Sequence, residues 1–120
     1  VDGGMSDNAR PALYGAEYSA TVANRASSSS PALSRVVGKH CESGDIVVNH
    51  AMLPSDIAVN DLLAVAATGA YCFSLSSNYN FLPRPARVAV KSGVAKQLVR
   101  AETELDLMNR DLGLNSGGDA

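Results

Sequence analysis

Short runs of alternating apolar and polar residues dominate the chain, and they predict strands rather than long helices. Apolar residues alternate with polar ones over residues 17–24, which predicts a half-buried strand. Valine-rich runs bounded by turn residues predict two further strands, over residues 33–38 and from residue 46 to about residue 53. The pattern therefore predicts a mainly β domain.

Residues 62–68 form an apolar run whose composition suits either a buried strand or a helix. The pair Asn60-Asp61 before the run is a tight-turn signal, because asparagine accepts a left-handed backbone at low cost. Gly69 follows the run, and turn residues at both ends favour the strand.

The last third of the chain predicts a hairpin and then a helix. A three-residue turn joins a strand over residues 87–90 to a second strand over residues 94–100. Thr103 stands three residues before Asp106, which is the spacing of a capping box and predicts a helix to about residue 111, ended by Gly113. Because several short strands leave few edges to cover, we expect the sheet to close into a barrel with a C-terminal helix.

Composition and charge limit the class of protein. The chain has 120 residues, enough for one domain, and its 46% hydrophobic and 18% charged residues are typical of a globular protein. A net charge of −2 argues against nucleic acid as the main partner. No apolar run is long enough to cross a bilayer, and no charged-then-apolar leader opens the chain. The opening Val-Asp-Gly-Gly, without an initiator methionine, suggests a piece of a longer protein, and the two separated cysteines suggest reduced cytosolic thiols.

Few patterns that carry chemistry are present in the sequence. Neither common glycine-rich phosphate loop occurs, and there is no Gly-x-Ser-x-Gly turn of the kind that holds a nucleophilic serine. His40 and Cys41 are adjacent and no second close pair accompanies them, so we expect no metal site.

Residues 38–45 are the first candidate site. Cys41 follows Lys39 and His40, and a thiol with basic neighbours can act as a proton donor or as a nucleophile. Alternatively, Cys41 is a small core residue, and Glu42 and Asp45 are solvated turn residues. The pattern alone leaves both interpretations open.

Two further segments offer groups that bind anions. Tyr71 follows small residues at a strand end, where its hydroxyl can point outward to a phosphate or a carboxylate, although a core tyrosine fits the pattern equally well. Residues 6–14 are predicted to form a polar loop that places Arg10 one short step from Tyr14. The planar guanidinium of Arg10 suits a carboxylate, whereas the alternative is an ordinary surface charge.

Together these segments resemble the C-terminal part of the diaminopimelate decarboxylase family. Cys-Glu-Ser-Gly-Asp at residues 41–45 is the most specific element of the resemblance. The matching segments follow one another in family order along nearly the whole chain: Asp-Gly-Gly-Met-Ser-Asp-Asn (2–8), Arg-Pro-Ala-Leu-Tyr (10–14), Gly-Lys-His-Cys-Glu-Ser-Gly-Asp (38–45), Gly-Ala-Tyr (69–71), Ser-Asn-Tyr-Asn (77–80) and Pro-Arg-Pro (83–85).

The resemblance implies a cytoplasmic pyridoxal 5'-phosphate enzyme with an N-terminal (β/α)₈ barrel, absent here, and a C-terminal β-barrel or sandwich domain. It implies a homodimer with active sites shared between subunits, which converts meso-diaminopimelate to L-lysine and CO₂. On this basis residues 1–16 are the junction with the missing barrel and carry a substrate-binding loop. Residues 17–112 are then the β domain, and residues 113–120 are a frayed tail.

The resemblance also assigns roles to individual residues. Arg10 and Tyr14 match positions that bind the distal carboxylate of the substrate, and Glu42 matches the acid that recognises the distal ammonium. Cys41 matches the thiol that reaches the partner subunit's site as a proton donor. Tyr71 matches a tyrosine near the cofactor phosphate and the substrate.

Two other functions remain open at this stage. The first is a decarboxylase of ornithine, arginine or a related basic amino acid, a group that shares Asp45. However, a diamine-forming site needs no clamp for a distal carboxylate, which Arg10 would supply, and Glu42 directly after Cys41 also argues against this function. The second is a non-catalytic β-barrel interaction module. Because the family's cofactor-binding lysine lies in the missing barrel, we expect the chain alone to be inactive and to bind pyridoxal phosphate weakly or not at all.

Overall fold

The structure is a computed structural model that describes residues 1–115. It divides the chain into two compact units, Val1–Ser76 and Ser77–Ala120. We describe each unit by itself. No helix within residues 1–115 has the length and apolar character needed to cross a membrane.

The first unit contains the strands β1 to β4, which pair two by two. β1 (Ala20–Val22) pairs antiparallel with β4 (Leu63–Val65), and β2 (Pro31–Val37) pairs antiparallel with β3 (Ile46–Pro54). The four strands predicted from the pattern of apolar residues are therefore present. β1 and β4 are shorter than predicted, three residues each, and Asn60 has the expected left-handed backbone with φ 76°.

The core of this unit lies on β2 and β3. Val48 on β3 is 1% exposed, and further along the strand Ala51 and Leu53 are buried on either side of the exposed Met52, as the pleat of a strand predicts. The register of the hairpin shifts between Ser34 and Val36, where the strand bends and keeps Val36 buried. β1 and β4 pack against this layer, and the cluster consists of Val36, Val47, Val48, Ala51 and Leu53, with Tyr18, Ala20, Leu63 and Val65 at its margin.

A short helix replaces part of the predicted N-terminal loop. α1 (Arg10–Tyr14) begins with Pro11 in its first turn, where the missing N–H costs nothing and the fixed φ suits a helix. Gly15 ends it with a φ of 62° and donates its N–H to the Pro11 carbonyl oxygen. The prediction of a loop over these residues was wrong because it overlooked this Pro-to-Gly punctuation. A second short helix, α2 (Cys72–Leu75), follows Tyr71.

The second unit begins with a 3₁₀ turn over Tyr79–Phe81 and continues with the predicted hairpin. β5 (Arg87–Lys91) pairs antiparallel with β6 (Val94–Val99), which confirms the hairpin, and Gly93 takes a φ of 76° in the turn. Helix α3 (Glu104–Met108) then begins with a capping box at Thr103, as predicted.

The end of this helix differs from the prediction. α3 ends at Met108, and Gly113 lies inside a separate turn, α4 (Leu112–Asn115), rather than ending a helix. The Asp111 carboxylate accepts the Gly113 N–H at 2.9 Å, so Asp111 starts a new turn where the sequence predicted a frayed end. Of the predicted tail over residues 113–120, residues 113–115 are therefore helical, and residues 116–120 lie outside the described residues.

The mainly β class is confirmed. Within residues 1–115 the strands pair as three two-stranded antiparallel sheets, and this pairing alone does not decide whether they close into a barrel. The two sheets of the first unit contact each other through side chains, because β1 packs against β3 within the core.

Candidate functional site

The predicted site residues of the first unit lie in two places. We call residues 38–45, between β2 and β3, the thiol loop. We call the second place the arginine corner, and it consists of Asn8, Arg10, Tyr18, Tyr71 and Cys72. Residues 4–10, the N-terminal strip, contact both of them.

The thiol loop exposes its two chemical groups. Cys41 and Glu42 are exposed, whereas His40 is 7% and Asp45 is 2% exposed. The interpretation of Cys41 as a small core residue is therefore wrong, and so is that of Asp45 as a solvated turn residue. The thiol is free, so it can meet a substrate or another part of the protein.

The Asp45 carboxylate holds the loop to the N-terminal strip. One oxygen accepts the backbone N–H of Met5 at 2.6 Å, and the other accepts that of His40 at 2.8 Å. A buried carboxylate needs such donors, because an unpaired charge away from water is costly. Sequence reasoning left the role of Asp45 open, and the structure shows it as an intramolecular anchor.

The arginine corner is built by side chains that hold one another. Arg10 Nη1 donates to the Tyr18 hydroxyl oxygen at 3.1 Å, and the guanidinium carbon lies 5.6 Å from the centroid of the Tyr71 ring. This is the distance of a cation–π interaction. Arg10 therefore has defined partners in place of an ordinary surface charge, and the structure brings it together with Tyr71.

Asn8 and Cys72 support this corner and were not among the predicted site residues. Asn8 is 6% exposed, and its side-chain oxygen accepts the Arg10 N–H at 3.2 Å and the Cys72 thiol at 3.3 Å. The Cys72 sulfur also lies 3.8 Å from the Tyr18 hydroxyl. The sequence offers little to reveal these contacts, because they join residues up to 64 positions apart.

Both tyrosines of the predicted site are exposed. Tyr71 is 67% exposed, which makes the interpretation as a core tyrosine wrong. Its φ of 65° is unusual for a residue with a side chain, and such strain costs about 1–3 kcal/mol. Tyr14, also 67% exposed, lies four residues after Arg10 on α1, so the two side chains share one helix face.

A groove in the first unit lies beside these residues and not on them. The groove, of about 320 Å³, runs between α1 and the start of β3, and its lining includes Pro11, Tyr18, Ile46 and His50. None of the five predicted site residues lines this groove. The candidate site is therefore a set of exposed groups on a surface rather than a closed pocket of this chain.

The structure also bears on the groups that such a surface can bind. Within residues 1–115 no cluster of three or more His, Cys, Asp or Glu side chains could hold a metal ion. A phosphate or a carboxylate needs donors, and the exposed Tyr71 hydroxyl and the neighbouring Arg10 guanidinium are both donors. This side of the surface therefore fits an anionic ligand.

The clearest pKa shift in the first unit lies away from the site, in a structural ion pair. The Arg25 guanidinium binds Asp61 with two N–O distances of 2.7 Å and lowers the pKa of that carboxyl to about 2. Asp56 also binds Arg25, and hydrogen bonds from Ser27 and then from Arg25 lower its pKa. These contacts join the segments on either side of the β2–β3 hairpin.

Most of the first unit matches a known protein family. Residues 1–69, more than half of the chain, match the family model described as "Pyridoxal-dependent decarboxylase, C-terminal sheet domain". Two relatives are both named diaminopimelate decarboxylase. The protein from Corynebacterium efficiens is 57% identical over 93% of this chain, and that from Bacillus subtilis is 47% identical over 98%. The chain spans only 24% and 26% of their lengths.

Solved structures agree with the sequence relatives. The crystal structure of diaminopimelate decarboxylase from Helicobacter pylori complexed with L-lysine matches 94% of this chain with a TM-score of 0.82 and 34% identity. The M. jannaschii enzyme in co-complex with L-lysine matches 92% with a TM-score of 0.84 and 31% identity. This chain covers 27% and 25% of those two chains.

Proposed function

The chain belongs to the family of pyridoxal-dependent decarboxylase C-terminal sheet domains, and from this premise we propose that it is the C-terminal domain of a diaminopimelate decarboxylase. The whole protein would convert meso-diaminopimelate to L-lysine and CO₂, as a cytoplasmic homodimer whose active sites are shared between subunits. The observation that carries the proposal is the exposed Cys41-Glu42 pair on an anchored loop, within a chain 57% identical to a named relative. In this proposal residues 1–16 are the junction with the barrel, residues 17–112 the β domain and residues 113–120 the tail.

The substrate's distal end carries one carboxylate and one ammonium, so its site needs a cation and an anion. Arg10 and Tyr14, which share a face of α1, bind the carboxylate. Glu42 binds the ammonium from the thiol loop, where its side chain is exposed. A site that pairs both charges discriminates against lysine and ornithine, because either leaves one group unmatched.

Cys41 supplies the proton that completes the reaction. Once the carbon–carbon bond to the departing carboxylate breaks, that carbon needs a proton on one face. Cys41 Sγ–H donates it, and the thiolate regains a proton from water. A positioned acid of this kind contributes about 10²–10⁴-fold to the rate. The exposure of Cys41 in this chain fits a thiol that acts in the partner subunit's site.

Pyridoxal 5'-phosphate, when bound, supplies an electron-withdrawing ring that accepts the electrons left by CO₂. The exposed Tyr71 hydroxyl would donate to the cofactor phosphate or to the substrate, and Arg10 contacts the ring of Tyr71. The cofactor's covalent lysine belongs to the barrel outside this chain. We therefore expect the chain alone to be inactive, and tight cofactor binding by the chain alone would overturn that expectation.

The two alternative functions have less support. A decarboxylase of ornithine or arginine does not need the carboxylate-binding pair on α1, although the family model admits pyridoxal-dependent decarboxylases in general. A non-catalytic module requires Cys41 and Tyr71 to be packing residues. Their exposure argues against it.

The test is turnover by the full-length protein and its variants. CO₂ release from meso-diaminopimelate is measured for wild type, Cys41→Ala and Glu42→Ala, with Glu104→Ala as an exposed control in the second unit. We expect Cys41→Ala to lower kcat by about 10²-fold or more and Glu42→Ala mainly to raise KM. Release from ornithine instead would move the assignment to the first alternative, and no turnover of any amino acid would support the non-catalytic module.

A further inference from the structure

The thiol loop buries the residues on either side of its exposed groups. Cys41 and Glu42 are exposed, while His40 before them and Asp45 after them are 7% and 2% exposed. Ser43 and Gly44 complete the exposed stretch and give it little intrinsic rigidity. The Cys41 thiol and the Glu42 carboxylate therefore lie on a short exposed stretch, residues 41–44, which we call the arch, and both of its ends are fixed.

Asp45 fixes both ends of the arch at once. Its carboxylate accepts the N–H of His40, and its backbone carbonyl accepts that of Gly38 at 2.9 Å. A Cβ added at Gly38 would overlap this carboxylate, and one added at Gly4 would lie 2.9 Å from the His40 ring. The backbone approaches the Asp45 carboxylate and the His40 ring so closely that only glycine fits at these two positions.

His40 makes the second attachment. Its Nε2 lies 2.9 Å from the Ser6 hydroxyl oxygen, and both side chains are buried, with Ser6 4% exposed. A buried hydrogen bond between side chains 34 positions apart fixes the direction of the loop relative to the N-terminal strip. Cys41 is the next residue after this anchor, so a movement of His40 moves the thiol.

We propose that Ser6, His40 and Asp45 form a clamp of positioning residues that sets where the Cys41 thiol and the Glu42 carboxylate lie. The proposal rests on the proposed function for its catalytic meaning. An exposed, glycine-containing loop would otherwise sample many positions, and ordering it at each turnover would cost conformational entropy. Because the hydrogen bonds of the clamp form during folding, before any substrate arrives, the loop does not have to be ordered at each turnover.

Hydrogen exchange in the full-length protein without substrate tests the clamp independently of activity. Ser6→Ala removes the hydroxyl with little change of volume, and Ser28→Ala is the matched control at an exposed serine. We expect Ser6→Ala to speed exchange of the thiol-loop amides about fivefold to tenfold and to leave β3 unchanged. His40→Leu should give the same result, whereas His40→Gln retains a side-chain amide and should exchange more slowly. Unchanged loop exchange in both Ser6→Ala and His40→Leu would overturn the proposal.

A double-mutant cycle on turnover tests whether the clamp acts through the thiol. Ser6→Ala should lower kcat about tenfold or more with a smaller change of KM, because a misplaced acid affects the chemical step. In a Cys41→Ala background the same substitution should have almost no further effect on kcat. Independent, multiplicative effects would overturn the positioning role. Full turnover by Cys41→Ala would instead overturn the proposed proton donor, and the exchange rates would still decide whether the clamp holds the loop.

Discussion

The described side chains that are buried all lie in the first unit, between Ser6 and Cys72, whereas the described side chains of residues 77–113 are exposed or half-buried. The first unit has an apolar layer on β2 and β3. The hairpin of the second unit has no such layer, and Val90 and Val94 are each 70% exposed. Two isolated strands are marginally stable in water, so the second unit needs other sources of order.

In the second unit, hydrogen bonds and ion pairs of charged side chains and the capping box of α3 hold the chain in place. Glu102 accepts hydrogen bonds from the Asn78 side chain at 2.6 Å and from the Arg84 backbone at 2.8 Å, and it forms an ion pair with the Arg84 guanidinium at 2.8 Å. These donors, the Arg84 backbone N–H first, lower the pKa of Glu102. The unit that carries the candidate site is therefore held by apolar burial, whereas the other unit depends on a few polar contacts.

The largest effect is expected in the core of the first unit. Val48→Ala removes two methyl groups from a side chain that is 1% exposed, which should cost about 2–3 kcal/mol of stability. Val90→Ala is the matched control at a site 70% exposed and should change stability by less than about 0.5 kcal/mol. Denaturant unfolding of the full-length protein measures both. A loss at Val90 as large as that at Val48 would contradict this difference between the units, because it would mean that the hairpin is covered by another part of the protein.

The contacts of Glu102 with Asn78 and Arg84, which we call the polar lock, should give the next largest effect. Glu102→Gln keeps the shape but places an amide donor opposite the donors of Arg84 and Asn78, which should cost about 1–2 kcal/mol. Hydrogen exchange should accelerate over residues 84–102 and remain unchanged over β2 and β3. Glu104→Gln, at an exposed position on α3, serves as the control. Faster exchange in both units after Glu102→Gln would contradict a lock confined to the second unit.

Local sequence signals predicted most of the fold. The valine-rich runs of β2 and β3, the turn at Asn60 and the capping box at Thr103 each depend on residues close in sequence, and all are confirmed. Closure into a barrel was expected from the number of strands and from the family resemblance, and the strand pairing alone does not decide it. Whether strands close depends on which edges meet, and that is decided by contacts distant in sequence.

The candidate site was only partly accessible to sequence reasoning. The residue types at Cys41, Tyr71 and Arg10 indicated chemistry, and all three carry accessible groups in the structure. Their supports were not visible, because the contacts of Ser6 with His40 and of Asn8 with Cys72 span 34 and 64 positions. A buried serine or asparagine has no distinguishing pattern of its own, since the same residue types dominate surface loops.

The capping box of α3 should have a smaller effect than the polar lock. Thr103 Oγ1 accepts the Asp106 N–H, and the Asp106 carboxylate accepts the Thr103 N–H at 2.8 Å. Thr103→Ala should cost about 1 kcal/mol, and Thr103→Ser should retain most of that stability. Exchange of the α3 amides reports the change directly. An equal loss in Thr103→Ser would indicate that the methyl group matters rather than the hydroxyl, and would weaken the view that polar contacts order this unit.

Acidification should produce the smallest change at any single pair, because these carboxylates lie near the surface where salt screens them. Arg25 lowers the pKa of Asp61 from its ordinary value of 3.8 to about 2. A carboxyl whose folded pKa is lowered stabilises the fold above the unfolded pKa, and this contribution is lost as the pH falls from about 4 towards 2. Asp61→Asn should therefore flatten this part of the pH dependence, whereas Glu17→Gln, at an exposed glutamate, should not.

Acidification should affect the stability of the two units differently. The pKa of Glu102 is lowered by the Arg84 backbone and Asn78, and that of Asp106 by Arg100, so the second unit loses both polar contacts as these groups are protonated. The first unit loses Asp61 but keeps its apolar core, whose stability does not depend on protonation. Pulse-labelled exchange at decreasing pH should therefore show residues 84–106 losing protection before β2 and β3. Simultaneous loss in both units would mean that they unfold as one and that the difference in burial does not control their stability.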